Sequence, residues 1–284
     1  MSTNNRTPET GNRTDHISGL PTGFVKIDEM LGGLHPSELI VLASRPSMGK
    51  TALAANIAED VSIETKRPVL FFSLEMGQTE LAVRLLCSRA RVRKRDFASN
   101  FLDDDDRHRL ADTRDELNNS LLFIDDTSAP TVSQIAAAAR RIKQQNGLAL
   151  IVVDYLALVE PDNLLEPHRE QIAETARGLK ELTRELDVPV LCLAQIDRRD
   201  ERAEEQSLRP SDPHKLGSVE PYADVVLFVH REEVYLGDKE TRDRNLKGKA
   251  EVIVAKQRRG STGTVSLRWE AEFARFANEK KEDA

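Results

Sequence analysis

Cysteine is scarce. Cys87 and Cys192 are the whole supply in 284 residues, too few for a four-cysteine zinc site or a disulfide framework. Both sit in apolar surroundings, where a thiol behaves as a small buried hydrophobe. Long apolar runs are missing too. None approaches the roughly 20 residues of a membrane helix, so no membrane contact is expected. The first residues, MSTNNRTPETGNRTDH, lack the apolar centre of a signal peptide. A soluble, cytoplasmic chain is the expectation. The six histidines show no ligand spacing, no Gly/Ser linker divides the chain, and no internal repeat is visible. Nor is there an excess of cations. Lys and Arg number 41 against 48 Asp and Glu, a net charge of −7, which argues against coating nucleic acid by bulk charge and leaves room for a local basic groove.

What is present is an alternation of short apolar runs with amphipathic stretches. The runs at 38–44, 67–75, 120–126, 148–156, 188–195 and 223–231 read as strands, and 51–64, 79–90, 132–145 and 169–186 carry helical spacing. Strands apolar on both faces and separated by helices imply an α/β fold with a mostly parallel sheet covered on both sides. The segment AEVIVAKQRRGSTGTVSLRWE (250–270) reads as a C-terminal β-hairpin on the sheet edge. Residues 1–16 lack periodicity and read as a disordered tail, and RFANEKKEDA (275–284) looks like a second short tail.

The octapeptide SRPSMGKT (44–51) follows a strand and opens a helix. It fits the phosphate-loop pattern except that Ser44 stands where the first Gly is expected. Such a loop presents backbone N–H groups at a helix N-terminus, where an anion is favoured. Lys50 would reach the β- and γ-phosphates of ATP, Thr51 would ligate Mg2+, and Gly49 lets the backbone approach. LIVVDY places Asp154 at a strand's C-terminal end, where α/β sheets bind ligands, as the magnesium partner. Glu75, closing the strand FFSLE, is the candidate for positioning water, with a helix cap as its bland alternative. Gln195 ends the strand VPVLCLAQ, where a neutral polar group can sense the γ-phosphate or merely end a strand.

Two long loops, 157–168 and 196–222, leave strand C-termini beside this site, and loops of that length are usually functional or disordered. At the hairpin tip, Lys256 and Arg258 alternate to one face, with Gln257 and Arg259 on the other. Such residues either solubilise a tip or reach a neighbouring subunit's nucleotide as an arginine finger. The cluster RARVRKR (89–95) reads as cations completing a helix C-terminus.

The blocks GLPTGFVKIDEMLGGLHPSELIVLASRPSMGKTALAANIA, FFSLEM, LIVVDYLAL, VPVLCLAQ, ADVVLFVHREE and AEVIVAKQRRGSTGTV resemble, in order, the C-terminal RecA-like motor domain of the DnaB family of replicative DNA helicases. That family also lacks the first Gly of the phosphate loop. The resemblance runs over 17–276 and leaves 277–284 as the C-terminal tail. It implies a RecA-like P-loop NTPase that hydrolyses ATP with Mg2+ to move 5′ to 3′ on single-stranded DNA and unwind duplex. Ser47, Gly49, Lys50, Thr51, Ala52 and Arg84 would hold the nucleotide, Glu75 would be the catalytic glutamate, and Asp154 with Thr51 would hold the metal. Lys256, Gln257 and Arg258 would act in trans, with Arg258 as the finger, which implies a homo-oligomeric ring, a hexamer in the family.

Two departures stand out. The family's DNA loop reads approximately SDLRESGAIEQDAD, whereas this chain has SDPHKLGSVEPYAD (211–224). His214 and Lys215 replace an Arg-Glu pair, while Gly217 remains to offer its N–H to a phosphate. Only 16 residues precede the region of resemblance, and the family recruits primase through an N-terminal domain, so primase contact is doubtful. The altered loop keeps a second reading open, a RecA-like ATP switch that binds a partner without unwinding. A filament-forming recombinase fits the blocks less well.

Overall fold

The computed structural model describes residues 17–163, 165–196 and 212–279. The N-terminal tail, most of the charged loop after Gln195 and residues 280–284 lie outside the described residues. Nine strands form one sheet: β1 (Leu39–Ser44), β2 (Val69–Ser73), β3 (Leu122–Asp125), β4 (Leu150–Asp154), β5 (Val190–Gln195), β6 (Val225–His230), β7 (Lys249–Gln257), β8 (Gly263–Glu270) and β9 (Arg275–Asn278). Their spatial order is β3-β2-β4-β5-β1-β6-β7-β8-β9. The strands from β3 to β6 in that order run parallel, and β7, β8 and β9 add antiparallel.

Eight α-helices accompany the sheet among the described residues: α1 (Val25–Leu31), α2 (Lys50–Glu59), α3 (Gln78–Ala90), α4 (Lys94–Ala98), α5 (Asp104–Asn118), α6 (Val132–Asn146), α7 (His168–Leu186) and α8 (Asp238–Asp243). The central strands are apolar throughout because both faces are covered. Alternate residues Ile40 and Leu42 of β1 face a core shared with α1 and α2, and Leu39, Val41 and Ala43 face one shared with α6 and α7. Helix starts follow local chemistry. Thr131 and Gln134 form a reciprocal capping box on α6. Asp103 caps α5, whose first turn carries three further aspartates at the positive end of the helix dipole.

Two expectations need correction. The strand expected over 67–75 stops at Ser73, because Ser73 Oγ donates to the Met76 carbonyl and the chain turns there. Glu75 therefore lies in the exposed turn before α3. The chain after 274 is not a tail. β9 pairs with β8, placing Phe276 opposite Trp269, and Phe276 is 2% exposed. Asn278 Oδ1 accepts from the Val25 N–H, and Asn278 Nδ2 donates to the Gly23 carbonyl, tying this strand to the entry of α1. The domain thus runs past the expected boundary at 276. The described part of the 196–222 loop also has structure. Pro213–Tyr222 forms 3-10 turns broken at Gly217, whose φ is 55°, with Leu216 and Val219 buried in the core beside α7. No helix among the described residues is long and apolar enough to cross a membrane.

Candidate active site

β1 ends at the C-terminal edge of the sheet, and residues 45–49 turn the chain into α2. Ser47 (φ 68°) and Gly49 (φ 94°) take left-handed backbone conformations. Turns of this kind gather N–H groups into an anion-binding concavity. No side chain caps α2, so its first N–H groups are left to an anion. A Cβ on Gly49 would stand 3.0 Å from the Phe276 ring, so only glycine suits both the φ and the space.

This loop forms the floor of a cleft of about 900 Å3. Ser47, Gly49, Lys50, Thr51 and Ala52 line it, as do Glu75, Arg84 and Gln195 from three other elements. Gln195 is the exposed last residue of β5 and pairs in register with Ser44. Arg84 is half-buried on α3, with a long 3.9 Å contact to Glu80. Glu75 is not a helix cap. The residue preceding α3 is Gly77, and the Gln78 N–H is taken by Asp126. Its turn is instead pinned to the next strand by the Leu74 N–H donating to the Asp154 carbonyl at 2.8 Å.

Asp154 lies on the neighbouring strand at 1% exposure. The Thr51 hydroxyl donates to its carboxylate, whereas its Oδ1 is buried with no hydrogen-bond partner among the described residues. A buried anionic oxygen beside a hydroxyl is a hard-oxygen donor set, and it fits a divalent cation such as Mg2+. Burial pushes the Asp154 carboxyl above its ordinary range, and the Thr51 hydrogen bond and the charge of Lys50 pull it back. Burial likewise holds the Lys50 ammonium below its ordinary range, with Asp154 and Glu75 opposing. The ammonium lies 4.9 Å from the centre of the Tyr155 ring. Lys50 and Asp154 are themselves buried, where charges interact more strongly with a phosphate or a cation than they do in water.

The remaining expected residues lie elsewhere. Lys256 Nζ donates to the Glu220 carbonyl at 2.7 Å and to Glu220 Oε1 at 2.8 Å. Arg258 Nη2 donates to the Pro221 carbonyl at 2.8 Å, while Gln257 Nε2 points the other way, 3.4 Å from the Leu31 carbonyl. The alternation of faces holds, and none of the three lines the cleft of its own chain. His214 and Gly217 are exposed on the 213–222 turns, and the Lys215 side chain lies outside the described residues.

Sequence spacing misses the cleft's other wall. Trp269 and Phe273 come from β8 and the turn after it, and Arg93, Lys94 and Arg95 from the start of α4. Within the basic cluster, Arg89 alone falls in the last turn of α3, held by Glu59, Glu64 and Glu116. Local sequence carries no sign that residues near the far end of the chain fold back over the phosphate loop.

A family model, the DnaB-like helicase C terminal domain, matches residues 19–278. The chain belongs to this family. It is 41% identical over 268 residues to the replicative DNA helicase DnaC of Bacillus subtilis (strain 168), covering 94% of this chain and 58% of that protein. It is 40% identical over 268 residues to the replicative DNA helicase DnaB of Geobacillus stearothermophilus, again 94% of this chain and 58% of the relative. The chain thus spans somewhat over half the length of these relatives. Among solved structures, an ATPase domain superposes with a TM-score of 0.86 at 34% identity, covering 93% of both chains. A DnaB-like replicative helicase, solved in a study of its interactions with primase, gives the same TM-score and identity over 93% of this chain and 63% of that one. The DnaB-like fold expected from the sequence, a mostly parallel sheet with a C-terminal antiparallel hairpin, is the one observed, with β9 added beyond the hairpin at the edge.

Proposed function

We propose that the chain is the ATP-hydrolysing motor of a DnaB-type DNA helicase, moving 5′ to 3′ on single-stranded DNA within a homohexameric ring. The observation that carries this reading is the split between two groups of residues. Lys50, Thr51, Glu75, Arg84, Asp154 and Gln195 gather at one cleft, and Lys256 and Arg258 face away from it. A cleft with a phosphate loop and a candidate base, but with its hairpin cations directed elsewhere, suits a site completed by a neighbouring copy.

The loop N–H groups and Lys50 bind the β- and γ-phosphates. Glu75 orients the attacking water and accepts its proton. Gln195, at the root of the charged loop, registers the γ-phosphate. Thr51 and Asp154 would hold Mg2+, which when bound neutralises charge on the phosphate oxygens. Arg258 of an adjacent copy stabilises charge developing on the transferred phosphoryl group. The 213–222 turns, which carry His214 and Gly217 and are held by Lys256 and Arg258, meet the DNA backbone, with the Gly217 N–H offered to a phosphate.

The test is ATP hydrolysis with and without single-stranded DNA, in wild type, Glu75→Gln and Arg258→Ala. DNA stimulation that vanishes in Glu75→Gln, with kcat down about 10³-fold or more in Arg258→Ala, is expected. Hydrolysis that needs Glu75 but ignores DNA would favour the ATP switch instead.

A further inference from the structure

The phosphate loop has a back as well as a front. Ser47 and Gly49 are its two left-handed residues, and each is met by the C-terminal part of the chain, whose Trp269 also lines the cleft. The Ser47 carbonyl faces Arg231 Nη1 at 3.5 Å. Gly49 has the Phe276 ring 3.0 Å and Trp269 3.4 Å from where its Cβ would stand. The Arg231 guanidinium lies over Trp269, with 4.2 Å between its carbon and the ring centre, and Trp269 packs on Phe276 at 4.7 Å.

The contacts close into a circuit. Arg231 Nη2 donates to Glu233 Oε1 at 2.7 Å, and the Gly248 N–H donates to Glu233 Oε2 at 2.8 Å. The Trp269 N–H donates to the Gly248 carbonyl at 2.7 Å. The Phe276 N–H donates to Asn56 Oδ1 at 2.9 Å, returning the circuit to α2, which the phosphate loop opens. The Arg231–Glu233 pair is mostly buried, with side-chain exposures of 11% and 14%. A guanidinium over an indole, with Nε and Nη2 both on one carboxylate oxygen, is restricted in orientation. Its Nη1 is the nitrogen directed at the phosphate loop.

We propose that Arg231 and Trp269 are positioning residues for the phosphate loop, holding the Ser47 carbonyl and the Gly49 backbone to the rear so that the N–H groups face the nucleotide. They act through the loop and touch no reacting atom. The proposal rests on the nucleotide reading of the cleft. It also makes Trp269, the chain's single tryptophan, a reporter of that cleft.

The experiment uses the full chain with excess Mg2+ and a fluorescently labelled, non-hydrolysable ATP analogue, together with Trp269 emission and thermal melting. Wild-type emission changes on binding of the unlabelled analogue. Arg231→Ala weakens the Kd by about tenfold, the scale of one hydrogen bond from a charged group. Arg231→Lys keeps the charge but not the planar guanidinium and falls between. Trp269→Leu weakens binding, and Trp269→Phe restores most of it because the ring face returns. Melting of Arg231→Lys and Trp269→Phe stays close to wild type. Wild-type affinity in both Arg231→Ala and Trp269→Leu would overturn the proposal, as would losses of affinity that merely follow losses of melting temperature across all four variants. A wild type that binds no nucleotide would overturn the reading of the cleft itself, and this proposal with it.

Discussion

Asp224→Ala tests how the 213–222 turns and the finger segment are anchored. Asp224 Oδ2 accepts from Lys180 Nζ at 2.6 Å and from the Leu39 N–H at 2.8 Å, and its Oδ1 lies 3.5 Å from Arg258 Nη1. The Lys180 and Asp224 side chains are 11% and 9% exposed. Truncation leaves a mostly buried ammonium whose remaining partner is the Ser37 carbonyl at 2.7 Å, and it strips the acceptor from the first N–H of β1. Removing one partner of a buried pair costs about 3–5 kcal/mol. At roughly 2–4 °C per kcal/mol for a large domain, the melting temperature should fall by about 6–20 °C. The control is Lys180→Met combined with Asp224→Asn, which removes the ammonium and keeps an acceptor for Leu39. That double variant should recover most of the loss, with a coupling energy above about 2 kcal/mol in urea titrations. A cost below about 1 kcal/mol for Asp224→Ala, or additive effects across the cycle, would refute the reasoning.

Phe276→Ala should destabilise by about 3–5 kcal/mol, as for other buried rings, whereas Glu279→Ala, which breaks an exposed pair with Lys26, should change stability by less than about 1 kcal/mol. Chemical denaturation of the two variants separates a packed strand from a tail. Gly49→Ala should lose nucleotide affinity by more than about tenfold, since a left-handed alanine is strained and its Cβ meets Phe276, and isothermal titration with an ATP analogue measures it. Burial holds the His230 imidazole below its ordinary 6.5, with Arg45 adding to the shift and Glu251 and Glu232 opposing it. The unfolded chain therefore binds a proton more readily than the native one, so His230 supports the fold fully above about pH 6.5 and progressively less as pH falls toward the native value. Melting across pH 5–8 should show His230→Asn losing less stability than wild type on acidification.

The phosphate loop, Asp154, the order of the buried strands and the helices at 132–146 and 168–186 are all legible in the chain, because each is written in residues adjacent in sequence. A strand buried on both faces must be continuously apolar, and an amphipathic helix must repeat at its own period. α5 is not legible because only Leu110 and Thr113 of it are buried, so it carries almost no apolar stripe. Strand β9 reads as tail because RFAN shows one apolar face over four residues, too short for a period to register. The rear wall of the phosphate loop is invisible for a different reason. Arg231, Trp269 and Phe276 meet Ser47 and Gly49 because antiparallel strands fold the chain's end back beside its beginning, and strand pairing between distant segments leaves no mark in local spacing. The same holds for Lys256 and Arg258. Their shared face follows from strand alternation, but their attachment to the turns carrying His214 and Gly217 depends on which backbone carbonyls the fold brings within reach.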